Sequence, residues 1–282
     1  MRRNLFRSIV VLLAALGLAS CASNPSQNHV TLKIAAADNM LPVLRRLADA
    51  YHRRQPWIDL ELHTANTARL EEDLKQGVAY DIYIPDQPAS MDALSRADAV
   101  NPLSRQLLAI NQLMLIAPAD TDLSSDFLDL SKPPERQIAV ANPDILLGHL
   151  TSQSLTTLNF LSNHDATPLG QQSTPAAGNP ATPPPGLGSL EPKLLVVANE
   201  ADVIAAVEDG RAQVGITFAS YAAGDAKIHI LAPLPPNTYD PVAYIAAIPR
   251  NAPHNDEAWQ FLDYLRSAEA HAIMQEAGLL VN

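Results

Sequence analysis

One cysteine, Cys21, stands in the 282 residues, so no intrachain disulfide can form and thiol catalysis has little to build on. Aromatic residues make up 5% of the chain, too few for a platform that stacks bases or sugars. Positive charge is scarce: 19 Lys and Arg face 30 Asp and Glu, for a net charge of −11. That balance excludes nucleic acid and polyanionic surfaces as partners, but not a small anion in a local site that outweighs the global sign. No G-x-S-x-G, H-E-x-x-H or phosphate-binding loop is present, so nothing points to an enzyme. The eight histidines, among them His52, His63, His149 and His271, lack metal-ligand spacing, and pairs such as Glu71-Glu72 read as a solvated helix face. No metal or cofactor is expected.

The amino end does carry a signal. Arg2, Arg3 and Arg7 precede an apolar run from Ile9 to Leu18 and the small-residue exit Ala19-Ser20-Cys21. The run is too short to span a bilayer and reads as a signal peptide over residues 1–20. LASC resembles the lipobox of bacterial lipoproteins, which implies lipidation of Cys21 and a polar tether over residues 21–29; the alternative is an ordinary signal peptide that contains a Cys. Without the first twenty residues, 16 basic residues face 30 acidic ones and the net charge is −14.

The stretch IAAADNM, Ile34 to Met40, organises the chain. Leu32 and Ile34 alternate with Lys33 as a strand end, Asp38 and Asn39 are N-cap types, and Val43, Leu44, Leu47, Ala48 and Tyr51 repeat at helical spacing. Pro42 falls in the first helical turn, where its missing N–H costs nothing. A strand feeding a helix through small residues presents free N–H groups, a geometry that suits an anion. Ile58, Leu60 and Leu62 form a second strand, followed by a helix capped by Asn66 or Thr67 and closed by Gly77. Asp81 to Ile84 is a third strand, and a short helix begins after Pro88. This βαβαβα order predicts a mostly parallel sheet flanked by helices.

Two apolar segments, Leu107 to Ala117 (broken by Asn111 and Gln112) and Val242 to Ile248, are long enough to cross between lobes. They place lobe I at residues 30–110 and 240–282 and lobe II at 111–239. Within lobe II, Gln137 to Ala141 reads as a strand, Gly148 as preceding a helix, and residues 194–198 and 214–218 as strands around a helix that Gly210 closes. Residues 162–192, rich in Pro, Gly, Ser and Thr, cannot bury enough apolar area to offset their ordering entropy and read as a disordered insertion.

The pieces AAADNM, TANTARLEEDLKQGVAYDIYI, QLLAINQLMLIAP, IAVANP, VEDGRAQVGITF, YDPVAYIAAI and FLDYLRSAEAHAIMQEAGL together resemble the periplasmic molybdate-binding proteins, the solute-binding subunits of oxoanion ABC importers. The resemblance runs from Thr31 to Leu280 outside the insertion. It implies a two-lobed α/β fold with a two-stranded hinge, and a tetrahedral oxoanion clamped between lobes by hydroxyls, amides and backbone N–H groups. It also implies an importer as partner, a periplasmic, membrane-anchored location and a monomer. Carried over to this chain, the ligand set is Asn39, Thr67, the N–H groups of Leu147 and Glu200, and Phe218 where the family has a tyrosine hydroxyl. Asp38 and Glu200 put carboxylates beside that set, either facing the solute or capping their own helices. The alternatives are a protonated oxoanion or other solute, or a lipoprotein of this fold that no longer serves transport.

Overall fold

The computed structural model describes residues 29–123, 136–161 and 193–281. The leader, Cys21, the tether up to residue 28 and the insertion at 162–192 lie outside the described residues.

Two α/β lobes are joined by a pair of hinge strands. In the first lobe, β1 (Val30–Ala37) lies between β2 (Ile58–Ala65) and β3 (Ile82–Ile84), parallel to both. Leu32 and Ile34 are buried and Lys33 is exposed, as the alternation predicts, while Ala35 to Ala37 are buried in succession. Helix α1 (Leu41–Arg54) then covers the sheet with Val43, Leu44, Leu47, Ala50 and Tyr51, and Pro42 sits in its first turn. One local expectation fails. Asp38 and Asn39 cap nothing; they form a short 3-10 turn ahead of α1. The Asn39 side chain is drawn away to Asp86, a partner distant in sequence. Helix α2 (Thr67–Lys75) is capped by Asn66, whose Oδ1 accepts from the Arg69 N–H at 2.9 Å, and α3 (Pro88–Arg96) begins on its proline.

The apolar segment at 107–117 is divided at Gln112 between two sheets. Strand β4 (Gln106–Asn111) pairs antiparallel with β10 (Val242–Ala246) to make the hinge, and β5 (Leu113–Pro118) enters the second lobe. There β6 (Ile138–Ala141), β7 (Leu194–Val197), β8 (Val214–Phe218) and β9 (Ile228–Pro233) complete a sheet of order β7-β6-β8-β5-β9. It is parallel through β7, β6 and β8, and antiparallel where β5 and β9 join. Helix α4 (Leu146–Thr157) follows β6, α5 (Glu200–Glu208) follows β7, and the single turn α6 (Ala219–Ala222) follows β8. Gly148 lies inside the first turn of α4 rather than before the helix. A Cβ there would stand 2.1 Å from the Asn142 carbonyl oxygen, so glycine lets the helix start press onto the end of β6.

The tail forms two helices, α7 (Asn255–Leu265) and α8 (Ala268–Glu276), and Ser267 caps the second. They return to α1: the Tyr51 ring lies 4.9 Å from that of Phe261 and 5.0 Å from that of Tyr264. Leu280 then exchanges two backbone hydrogen bonds with Ile110, at 2.8 and 2.9 Å. Asp81, fully buried, ties the two ends further. Its carboxylate accepts the backbone N–H of Lys33 and that of His254, each at 2.8 Å. The ion pairs Arg46–Glu276 and Arg54–Glu269 are exposed and contribute about 0–1 kcal/mol each. Burial of the aromatic and aliphatic side chains between them dominates.

Candidate functional site

Three strands of the first lobe end at one place, and each carries a polar residue there. The β1 turn brings Asn39, the start of α2 brings Thr67, and the chain after β3 brings Asp86, all buried. The carboxyl ends of parallel strands are where open α/β sheets bind ligands. The Asp86 carboxylate accepts the Asn39 amide at 2.9 Å, the Thr67 hydroxyl at 2.7 Å and its own backbone N–H. Burial pushes its pKa above the ordinary carboxylate value. The three hydrogen bonds pull the other way, and the charge of Asp38 adds to the rise.

The network continues across the hinge. The Tyr244 hydroxyl donates to Asn39 Oδ1 at 3.2 Å, and the Asn111 side-chain amide donates to the Tyr244 hydroxyl oxygen at 3.0 Å and to Ser220 Oγ at 2.8 Å. Thus Asn39 of the first lobe, Asn111 and Tyr244 of the hinge pair and Ser220 of α6 are one hydrogen-bonded chain. Burial drives the Tyr244 hydroxyl far above its ordinary value, so it stays a donor. Of these residues the sequence singles out Asn39 alone. Asn111 does leave a trace, as a polar break in an apolar strand.

The second lobe supplies the facing wall. The first hydrogen bond inside α4 runs from His149 N–H to the Ile145 carbonyl at 2.9 Å, which leaves the Leu147 N–H outside the helix's own ladder. Glu200 opens α5 but does not cap it; Asn199 does, accepting from Asp202 N–H at 3.0 Å. The Glu200 carboxylate turns back on its own N–H instead. Burial raises its pKa, that hydrogen bond lowers it, and the charges of Asp38 and Asp86 raise it again. Phe218 is fully buried at the end of β8 and brings no polar atom. Three residues on, Tyr221 is half-buried, its pKa pushed up to about 12 by burial and then by the charges of Glu200 and Asp38.

Asp38, Asn39 and Thr67 therefore gather around Asp86, and Glu200 approaches from the other lobe closely enough to feel both aspartates. Leu147 lies in the facing helix turn, while Phe218 stands in the core. Among the described residues no Lys, Arg or His contributes to the shifts of Asp86, Glu200, Tyr221 or Tyr244. Nor do three or more acidic or imidazole side chains converge closely enough to hold a metal ion. The pKa shift of Glu200 has a testable sign. Its carboxyl binds a proton more readily folded than unfolded, so its contribution to stability is full below the unfolded pKa and is lost as pH rises through the folded one. Glu200→Gln should melt above the parent near neutrality, and the gap should close on acidification to about pH 4. Thermal melts across pH decide it; a gap that does not vary with pH refutes the assignment.

Residues 32–280 match the family described as bacterial extracellular solute-binding protein. The chain belongs to this family. It is a binding protein, not an enzyme. A relative carrying the name ABC transporter substrate-binding lipoprotein YvgL, from Bacillus subtilis, is 23% identical over 96% of this chain and 95% of its own. The molybdate-binding protein ModA of Haemophilus influenzae is 23% identical over 95% and 94%. Among solved structures, the substrate-binding domain assigned to a molybdenum ABC transporter of Clostridium difficile aligns with a TM-score of 0.73 and 22% identity, covering 90% of this chain and 99% of that one. The resemblance to molybdate-binding proteins read from the sequence is thus borne out, as is the two-lobed fold. Among the described residues of this solute-binding protein, no helix is long and apolar enough to cross a membrane.

Proposed function

We propose that this solute-binding protein captures a small oxoanion outside the cytoplasm and delivers it to the membrane subunits of an ABC importer, held at the membrane by a lipid on Cys21. The oxoanion is one that keeps a proton. The observation that carries this reading is the donor accounting around Asp86. One N–H of the Asn39 amide and the Thr67 hydroxyl, two donors expected for the oxoanion, are taken by the Asp86 carboxylate, and Glu200 takes its own N–H. A fully deprotonated dianion entering this cleft meets three carboxylates, with two of its expected side-chain donors already turned to Asp86. A protonated oxoanion brings its own O–H to Asp38 or Glu200 and accepts from the Leu147 N–H and the Tyr221 hydroxyl. The names of the relatives favour a second reading, unprotonated molybdate or tungstate.

A thermal-shift panel of phosphate, molybdate, tungstate and sulfate separates the two. Phosphate, which keeps a proton near neutrality, should give the largest rise, and the rise should grow on mild acidification. A larger rise with molybdate or tungstate returns the site to the second reading, and no rise with any of the four removes capture of an inorganic oxoanion. The tether is tested separately. Cys21→Ala should leave the membrane fraction and appear soluble outside the cytoplasm, and unchanged fractionation dismisses it.

A further inference from the structure

Beside the polar cluster lies a cavity of about 380 Å³ whose walls come from both lobes and the hinge. The first turn of α3 contributes Pro88 and Ala89, α4 contributes Leu146 and Leu150, and the approach to β10 contributes Pro241 and Val242. Polar atoms come from Gln87, His149 and Asp240, of which His149 and Asp240 are exposed. Each wall is one residue from the polar cluster. Gln87 follows Asp86, Leu146 precedes Leu147, and the residue after Val242, Ala243, donates its N–H to the Asp86 carbonyl at 3.0 Å. The space would hold roughly a dozen waters at ~30 Å³ each, against walls more apolar than polar. It lies within the size range of pockets that bury organic ligands, and a bare tetrahedral oxoanion would leave most of it unfilled.

We propose that the solute is an organic oxoanion, an acid group such as a phosphate monoester carried on a carbon body, and that the body occupies this cavity while the acid group meets the polar cluster. The acid group rests on the function proposed above; the carbon body rests on the cavity alone. Covering an apolar body of phenyl size should tighten binding on the order of tenfold to a hundredfold over the inorganic anion.

Titration calorimetry on the parent protein at about pH 5, where phosphate and phenyl phosphate each keep at least one proton, with inorganic phosphate, phenyl phosphate, benzoate and benzylammonium separates the two parts. Phenyl phosphate should bind at least about tenfold more tightly than phosphate. Ala89→Phe, which fills the cavity from its exposed rim, should remove that advantage and leave inorganic phosphate unchanged. Ala89→Leu is a smaller step with the same sign should the larger one impair folding. Equal affinity for phosphate and phenyl phosphate overturns the cavity assignment while the oxoanion reading stands. Binding of benzylammonium without either phosphate keeps the cavity and overturns the organic oxoanion. No binding of any probe with a carbon body overturns the proposal outright, as does an advantage that survives in both Ala89 variants.

Discussion

Asp38→Asn should raise the affinity of this protein for molybdate and tungstate. Of the three cleft carboxylates, Asp86 is compensated by Asn39, Thr67 and its own N–H, and Glu200 by its own N–H. Asp38 is exposed and caps nothing, yet its charge acts on Asp86, Glu200, Tyr221 and Tyr244. It is the carboxylate with the least to neutralise it. A like charge at ~4 Å from the anion costs on the order of 1–4 kcal/mol, depending on the effective dielectric. That corresponds to roughly 5- to 1000-fold in affinity. Affinity for phosphate should move the other way, because the acceptor for its proton is lost. Calorimetric titration of both proteins at one pH reads both changes. Equal molybdate affinities would mean that Asp38 does not face the solute.

Gly148→Ala should be the most damaging single methyl group that can be added to the second lobe's cleft wall. Its Cβ would fall 2.1 Å from the Asn142 carbonyl oxygen, 2.4 Å from the Asn142 carbonyl carbon and 2.5 Å from the Ala141 carbonyl oxygen. All three are backbone atoms at the end of β6, so no rotamer change relieves the clash. The first turn of α4 has to lift away from the sheet. Overpacking of this kind costs about 1–3 kcal/mol and sometimes more; with backbone on both sides the upper end, about 3 kcal/mol, is expected. For a protein of this size that lowers the melting temperature by roughly 6–12 °C. The lifted turn also carries Leu147, so solute affinity should fall with stability. Gly210→Ala is the control. Gly210 has φ +72 and nothing within 4 Å of its added Cβ, so it should lose about 1 kcal/mol from backbone strain alone. If Gly148→Ala melts no lower than Gly210→Ala, the close approach is not a constraint.

Local chemistry makes much of the fold legible. The Asn66 cap, the closing glycines Gly77 and Gly210 and the alternation through Leu32 and Ile34 each depend on neighbours within a turn or a strand, and they fall where expected. The site is less legible because its contacts are not local. Asn39 looks like an N-cap until Asp86, 47 residues away, claims its side-chain N–H, and Tyr244, 205 residues away, claims its Oδ1. No periodicity records such a pair. Nothing local marks Asp86 either, since it sits after a strand where a carboxylate is ordinary. Gly148 reads as a preface to its helix because the atoms that demand glycine belong to the preceding strand.

The ends of the chain meet in the first lobe, and this imposes an order in time. Strand β1 starts at Val30, but α7, α8 and the Leu280–Ile110 bridge that close over its sheet lie in the final 28 of the 282 residues. The Asp81 carboxylate likewise waits for the His254 N–H. The strands of the second lobe, by contrast, all lie between Leu113 and Pro233. A chain emerging from its amino end therefore has the sequence of the second lobe in hand while the first still lacks its cover. Long loops must close before the first lobe gains its reward, the step that slows topologies rich in distant contacts. The three junctions that form the polar cluster belong to that lobe, so the binding surface depends on contacts that close across most of the length of the chain.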